Sequence, residues 1–314
     1  MASRRPQRPH RPADATPLVR LGQGDYTRDL RPSDLARGRT TTAGPDLGFL
    51  FTEPADVYHA RAKEFLSSHR LADFRRCPLL FRRKEQGLVR DRDSAAYLVG
   101  RAAHVLILEG RERFEAEFAV GGPINPTTGQ PYGSKTKSFA EWAARAGRPV
   151  LGDDQAALVE QMAAAVRGHI FARELLAEGV AEGVIRLDYA GHDCQARIDW
   201  INPLPGRGIA DLKTCDRLDQ FELDANRLGY VHQCAFYRAL VAEATAVVLP
   251  VYLIAVEKRE PCRCGVWEVA APALDQARRE NEAAMQDLTR CRRLGVWPTR
   301  FESIRLLGQT QPRT

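Results

Sequence analysis

Two aspartates and a lysine in the second half of the chain have the residue types and spacing for metal-assisted chemistry. Asp199 lies in the segment ARIDW, and Asp211 and Lys213 lie in GIADLKT. Hard divalent cations bind oxygen ligands, and such a cation can activate water and polarise a phosphate. A neighbouring lysine can orient that water and stabilise developing negative charge. We therefore expect a site for Mg²⁺ or Mn²⁺, with the carbonyl oxygen of Leu212 as a further ligand.

Short strands separated by turn residues would position these side chains. Strand-like runs cover 183–191, 194–202 and 206–214. Alternation along a strand places Asp211 and Lys213 on one face, and a hairpin would bring Asp199 beside them. The alternative is a structural salt bridge, because Asp-x-Lys alone is a common pattern.

The rest of the chain predicts helices on both sides of this small sheet. A helix begins at Ser67 or Ser68 and is interrupted at Pro78. Apolar periodicity and turn residues predict the remaining elements: helices over 95–109, 153–179, 218–243 (whole or broken near Gly229) and 272–294, a loop over 121–138, and strands over 247–258 and 264–270. The predicted fold class is α/β, with a small mixed β-sheet flanked by helices.

Several motifs occur in an order that resembles a known group of enzymes. The pattern D-(x11)-D-x-K, from Asp199 to Lys213, resembles the PD-(D/E)xK nuclease superfamily. GRAAH, ending at His104, is similar to the G-x-x-x-H motif of its RecE-like and RecB-like members, and Gln233–Tyr237 is similar to their Q-x-x-x-Y motif. The resemblance is greatest to RecE-like phage and prophage exonucleases and extends over roughly residues 64–300. It implies a restriction-endonuclease-like core.

The resemblance also implies a role for each matching residue. His104, Asp199 and Asp211 would be metal ligands, and Lys213 would be the catalytic lysine. Without the other motifs, a histidine beside Ala102, Ala103 and Val105 is more often a packed residue of a helix.

Three further residues are candidates at the edge of the same site. Gln233 and Tyr237 share a helix face, and the resemblance implies that they lie beside the catalytic lysine or contact DNA. The alternative is an ordinary amphipathic helix. Glu182 is a candidate for orienting the site, or simply a surface acid.

The expected activity is that of a magnesium-dependent deoxyribonuclease. The RecE resemblance implies 5′-to-3′ resection of linear duplex DNA, a single-strand annealing recombinase as partner, and a ring-shaped homo-oligomer. Alternatives are a RecB-like or CRISPR-adaptation-type nuclease, for which an iron–sulfur cluster would be evidence, a catalytically inactive DNA-binding module, and a hydrolase of small substrates.

Composition and charge agree with a DNA partner without requiring one. The 314 residues carry a net charge of +6, and residues 1–60 are predicted to be a basic, loosely ordered arm before a nuclease domain at 61–314. Arg75, Arg76, Arg82 and Arg101 are candidate phosphate contacts, or part of a solvated basic face.

The cysteines and the apolar segments bear on location. Seven irregularly spaced cysteines favour a reducing cytoplasm over a disulfide framework. The longest apolar runs are too short to predict a membrane span.

Overall fold

The computed structural model describes residues 48–89, 95–202 and 204–306. Its first half is mostly helical: α1 (Ala55–Ala60), α2 (Ser68–Arg76), α3 (Pro78–Glu85), α4 (Ala95–His104), a π-helical turn (Val105–Glu109), α5 (Arg111–Glu117), α6 (Lys137–Ala146), α7 (Asp153–Gly168) and α8 (Ile170–Leu175). Two short strands, β1 (Ala119–Val120) and β2 (Val150–Leu151), flank α6 and pair in parallel.

The second half of the described chain contains the main sheet. Its elements are β3 (Val180–Tyr189), β4 (His192–Asn202), β5 (Gly208–Cys215), a 3₁₀ turn (Leu218–Gln220), α9 (Phe221–Arg227), α10 (Tyr230–Thr245), β6 (Val251–Glu257), β7 (Cys264–Glu268) and α11 (Ala271–Leu294). The five strands lie in the order β3-β4-β5-β6-β7. All neighbours are antiparallel except β5 and β6, which are parallel and joined through α9 and α10.

Helices cover both faces of this sheet, as the predicted fold class requires. Side chains of α2, α3, α10 and α11 pack on one face, and those of α4, the π-helical turn, α7 and α8 pack on the other. β6 contributes alternately to the two cores, with Leu253 in the first and Ile254 in the second. Burial on both faces explains why this strand is a continuous apolar run.

The predicted interruption at Pro78 is confirmed, and its geometry follows from local hydrogen bonds. The Ser67 hydroxyl accepts a hydrogen bond from the Arg70 backbone N–H and caps α2. Cys77 is extended and its Sγ accepts from the Leu80 backbone N–H, so that α3 starts with Pro78 in its first turn.

The predicted single helix over 153–179 is instead two helices. The chain leaves helical geometry at His169, whose Nδ1 accepts a hydrogen bond from the Ala172 backbone N–H. This bond satisfies a donor at the start of α8, which lets the helix restart in a new direction without an unpaired buried N–H.

Residues 48–60 contact the sheet, although the predicted domain boundary at residue 60 stays a prediction. Phe51 pairs with Val184 of β3 through two backbone hydrogen bonds of 3.1 and 2.8 Å. Glu53 forms an ion pair with Arg186 of β3, and Tyr58 of α1 is buried. The remainder of the predicted arm, residues 1–47, lies outside the described residues.

Among the described helices, none combines the length and the apolar character needed to cross a lipid bilayer.

Truncation of Phe74 tests the core beneath α2. Phe74 is fully buried and meets Phe81 edge-on, with ring centroids 5.6 Å apart. We expect Phe74→Ala to lower the free energy of unfolding by about 3–5 kcal/mol, because it leaves a cavity, as measured by urea unfolding. Leu223→Ala, at an exposed position of α9, should change it by less than about 0.5 kcal/mol. Equal losses for the two variants would contradict this packing.

Candidate active site

The two central strands of the sheet separate at the predicted catalytic aspartates. β4 and β5 pair at three positions only, the last being Trp200 with Ala210. The next residue of each strand toward the site is Asp199 or Asp211. Because the strands have parted, the Leu212 backbone N–H donates instead to Asp199 Oδ2, at 2.8 Å. This bond replaces a strand pairing and holds the Asp199 carboxylate in the gap.

Asp211 and Lys213 form a buried ion pair on one face of β5, as their spacing predicts. Asp211 Oδ2 contacts Lys213 Nζ, and the Asp211 side chain has no exposed surface. Asp211 Oδ1 has no hydrogen-bond partner within the described chain. Burial opposes the lysine charge, but the carboxylates of Asp211 and Asp199 outweigh it and raise the pKa of Lys213. The ammonium group therefore stays protonated.

Glu182 of β3 faces Asp199 across the β3–β4 pair. The neighbouring pairs are Ala181 with Trp200 and Gly183 with Ile198. Glu182 has a φ of 52°, an uncommon value for a residue with a side chain. Burial, followed by the charge of Asp199, raises the pKa of Glu182 to about 8. Such a strained, like-charged arrangement is typical of functional sites.

Arg197 is the cation that holds Glu182 in this position. Its Nε lies 2.9 Å from Glu182 Oε2, and its Nη2 lies 3.9 Å from Glu109 Oε1. One guanidinium group between two carboxylates offsets part of the charge that crowds the site.

His104 reaches the same place from the other side of the gap. It is the last residue of α4, immediately before the π-helical turn, a type of turn often found at functional sites. Its Nδ1 lies 3.6 Å from Asp199 Oδ2. Burial, followed by the charge of Lys213, lowers the pKa of His104 to about 4. The imidazole is therefore neutral near pH 7, which is the form that binds metals.

Three of these side chains fit a divalent cation. Ligand atoms of His104, Glu182 and Asp199 all lie within 4.8 Å of one another. The raised pKa values of Glu182 and Asp199 mark a place where added positive charge would relieve the cost of two ionised carboxylates. This set contains two predicted ligands and the candidate Glu182. Asp211 lies outside it and faces Lys213, so the metal-ligand roles of Asp211 and Leu212 stay predictions.

Gln233 and Tyr237 lie one turn apart on α10 and line the same cavity. Gln233 Nε2 donates to the Tyr237 hydroxyl oxygen at 2.7 Å. Tyr230 is on the same helix, and Lys213 Nζ lies 4.8 Å from the centroid of its ring. The structure therefore brings the predicted Gln–Tyr pair to the side of the cavity that holds Lys213.

The site opens into a cavity of about 850 Å³. Its lining includes acidic side chains and also basic or imidazole side chains from several elements. Besides His104 and Lys213, the basic and imidazole residues are His59, His69, Arg101, Arg197 and Lys258. Sequence reasoning identified only Arg101 among them, because single basic residues on separate elements have no shared spacing. A cavity with these groups offers cationic contacts to an anionic substrate next to the carboxylates.

The four predicted DNA-contact arginines occupy different places. Arg101 lines the cavity and lies over the Phe118 ring at 5.2 Å. Arg75 donates to Asn281 Oδ1 at 2.7 Å, Arg76 pairs with Asp73 at 3.4 Å, and Arg82 pairs with Glu85 at 2.8 Å. The last three do not line the cavity, and their contact with DNA stays a prediction.

Comparison with known proteins confirms the predicted superfamily and fold class. Residues 67–310 match the family described as a PDDEXK-like domain of unknown function, DUF3799. The fold is similar to the crystal structure of a protein from Eubacterium rectale described as a candidate exonuclease, with a TM-score of 0.59 and 18% sequence identity. That similarity covers 83% of this chain and 97% of the other. A search of the curated proteins found no match.

The buried ion pair can be tested by a double-mutant cycle. Lys213→Met leaves the Asp211 carboxylate buried without its cation, so we expect a loss of about 3 kcal/mol in the free energy of unfolding. The double variant Asp211→Asn/Lys213→Met should lose less than the sum of the losses of Lys213→Met and of the single variant Asp211→Asn. Urea unfolding in EDTA at pH 8 measures all three variants.

The exposed pair Arg61–Glu64, at 2.8 Å, provides the control. Arg61→Gln should change the free energy of unfolding by less than about 1 kcal/mol, because surface ion pairs contribute little. A Lys213→Met loss no larger than that of Arg61→Gln would show that Asp211 is not held by the lysine.

Proposed function

We propose a function for this chain from one premise: the chain belongs to the family of PDDEXK-like domains of unknown function, DUF3799. It acts as a metal-dependent deoxyribonuclease. The observation that carries this proposal is the meeting of His104, Glu182 and Asp199 within 4.8 Å, in a cavity that also contains Lys213. A cation site can activate water and polarise a phosphate, and a protonated lysine beside it can stabilise the charge that develops during phosphodiester hydrolysis.

In this proposal His104, Glu182 and Asp199 hold the cation, which when bound polarises the scissile phosphate and makes water more acidic. The oxygen ligands favour Mg²⁺, and the imidazole is compatible with Mn²⁺. Arg197 keeps Glu182 aimed at the site through the 2.9 Å contact. The Leu212 backbone N–H does the same for Asp199.

Lys213 is the group proposed to act directly on the phosphate. Hydrolysis forms a bond between the water oxygen and phosphorus and breaks one bridging P–O bond, so negative charge accumulates on the phosphoryl oxygens. The Lys213 ammonium, kept protonated by Asp211 and Asp199, can donate hydrogen bonds to that charge and orient the water. Asp211 thereby acts as a positioning residue for the lysine, and as a metal ligand if its free Oδ1 also reaches the cation.

Gln233 and Tyr237 are proposed to limit where the lysine can go. They form a hydrogen-bonded pair on α10 beside the cavity, and Tyr230 offers its ring to the ammonium group. Packed polar side chains of this kind restrict the conformations of a reactive group before substrate arrives.

The finer form of the proposal is a RecE-like exonuclease that resects linear duplex DNA for recombination. It is supported by the order of the motifs, from His104 through Asp199, Asp211 and Lys213 to the Gln233–Tyr237 pair, and by a similar fold in a protein described as a candidate exonuclease. A single-strand annealing recombinase as partner and a homo-oligomeric ring belong to the same proposal. A RecB-like or CRISPR-adaptation-type nuclease is the alternative within the superfamily.

Removal of either member of the ion pair should abolish cleavage. We expect Asp211→Ala and Lys213→Ala to reduce cleavage of linear duplex DNA in Mg²⁺ by at least about a hundredfold, because charge on the phosphate is no longer stabilised. EDTA should stop the wild-type reaction. Release of a fluorescent end label measures the rates.

Matched controls are Asp188→Ala, at an exposed position of β3, and Lys63→Ala, also exposed. Both should cleave at the wild-type rate. Wild-type cleavage by Asp211→Ala and Lys213→Ala would reject the site. Binding of DNA without cleavage by the wild-type protein, with or without metal, would favour an inactive DNA-binding module.

Substrate ends distinguish the finer proposal from its alternatives. An exonuclease should degrade linear duplex DNA and leave a covalently closed circle intact, and the RecE-like proposal expects release from the 5′ end. Gel analysis of circular, 5′-labelled and 3′-labelled substrates measures this. Cleavage of the closed circle would reject the exonuclease while leaving the nuclease in place, and preferential release of the 3′ label would reject RecE-like polarity.

A further inference from the structure

A second concave surface lies beside the active-site cavity. We call it the Trp142 groove; it has a volume of about 700 Å³. α5 forms one side, and β1 with the end of α6 forms the other. The side chains that define it are Arg111, Phe114, Phe118, Trp142, Arg145 and Arg148. None of them belongs to the catalytic constellation.

Uncompensated positive charge distinguishes this groove from an ordinary surface depression. Its lining includes three arginines and one glutamate, Glu115. Arg111 is already paired with Glu160. Arg148 donates to the backbone carbonyl oxygens of Glu115 and Ala116 at 2.5 and 3.3 Å, which fixes the side chain without neutralising it. Within the described chain, Arg145 is exposed and has neither an ion pair nor a hydrogen bond from its side chain. Two cations are thus available to phosphates.

An aromatic platform lies between these charges. Trp142 is half-buried in the groove, and Phe139 supports it with ring centroids 5.9 Å apart. The indole N–H groups of Trp200 and Trp267 donate to Glu178 O and to Glu222 Oε1, whereas that of Trp142 has no acceptor in the described part of the chain. A partly exposed ring that packs against a neighbouring ring can stack on a nucleobase.

The groove and the active-site cavity share a wall. Phe118 lines the groove, and the Arg101 guanidinium lies over its ring at 5.2 Å. Arg101 in turn lines the active-site cavity, together with Glu117 at the end of α5. The contact between Arg101 and Phe118 therefore joins the lining of one space to the lining of the other.

We propose that the Trp142 groove binds single-stranded DNA next to the cleavage site, with Trp142 stacking on a base and Arg145 and Arg148 contacting phosphates. The inference rests on the proposed nuclease function for its ligand. Single-stranded rather than duplex DNA is the occupant, because the bases of a duplex are stacked on each other and closed to a tryptophan. A strand that leaves the cavity passes Arg101 and enters the groove.

Binding is measured on the full chain in EDTA, so that no strand is cut. The probe is a short fluorescein-labelled oligothymidylate, followed by anisotropy, together with quenching of tryptophan fluorescence by the unlabelled oligonucleotide. We expect Trp142→Leu to weaken binding about tenfold, because a stacked base is lost. Arg145→Gln should weaken it severalfold and make binding less sensitive to salt, because a phosphate contact is lost.

Two variants serve as matched controls. Trp142→Phe keeps a stacking ring, so it should bind nearly as tightly as the wild type while losing the quenching signal. Arg293→Gln removes an exposed arginine at the end of α11, which packs on the opposite face of the sheet, and should bind as the wild type does. Unchanged melting temperatures establish that the variants fold.

Wild-type affinity in both Trp142→Leu and Arg145→Gln overturns the proposal. So does equal affinity for, and equal quenching by, a duplex of the same length. A third result would also overturn it: the wild type sediments as a dimer, Arg145→Gln dissociates that dimer, and DNA does not quench the tryptophan fluorescence. This combination would assign the groove to a protein interface.

The test also separates this inference from the nuclease proposal. A wild-type protein that cleaves DNA while its groove variants bind normally rejects the groove alone. A wild-type protein that binds the oligonucleotide through Trp142 but cleaves no DNA with any divalent cation rejects the nuclease alone.

Discussion

β4 and β5 pair at only three positions, and the carboxylates of Asp199 and Asp211 lie where the strands separate. A sheet normally satisfies its own backbone groups by continued pairing. Here the Leu212 N–H donates to the Asp199 carboxylate instead. The bond compensates for the interrupted pairing, and it also fixes the Asp199 carboxylate in the gap between the two strands. The same hydrogen bond therefore satisfies the Leu212 backbone N–H and fixes the position of the Asp199 carboxylate. A change in strand register would remove both effects.

The charges placed in this gap would be costly if they were unbalanced. Burial raises the pKa values of both Glu182 and Asp199, and the charge of Asp199 raises the pKa of Glu182 further. Arg197 and Lys213 supply the opposite charge from β4 and β5. His104 remains neutral, so its imidazole lies beside Asp199 without adding a further charge. The carboxylates of this site are thus electrostatically strained, and Glu182 adds a φ of 52°. Strain of this kind is tolerated where the packing of surrounding residues fixes the backbone conformation.

The two helical layers provide that packing, and each delivers part of the site. α4 brings His104 and Arg101 from one face of the sheet, and α10 brings Gln233 and Tyr237 to the cavity from the other. A similar fold is found at 18% identity, so the layered arrangement tolerates extensive change in the residues that build it. The nuclease-type site depends on few positions, whereas the fold that carries it depends on a pattern of burial.

Local periodicity was enough to identify much of this arrangement from the sequence. The two-residue spacing of Asp211 and Lys213, the four-residue spacing of Gln233 and Tyr237, and the apolar run of β6 each reflect the geometry of one element. The fold class followed from the order of such elements, and the motif order indicated the nuclease superfamily.

Only the tertiary structure decided which distant groups meet. The contact of His104 with Asp199 depends on how α4 packs on the sheet, and the approach of Glu182 depends on the β3–β4 register and one strained residue. The break at His169 and the capture of Arg75 by Asn281 likewise depend on partners that no local pattern encodes. The physical reason is that the spacing of residues along a helix or strand indicates the face of that element on which a side chain lies. What that face contacts is determined by long-range packing.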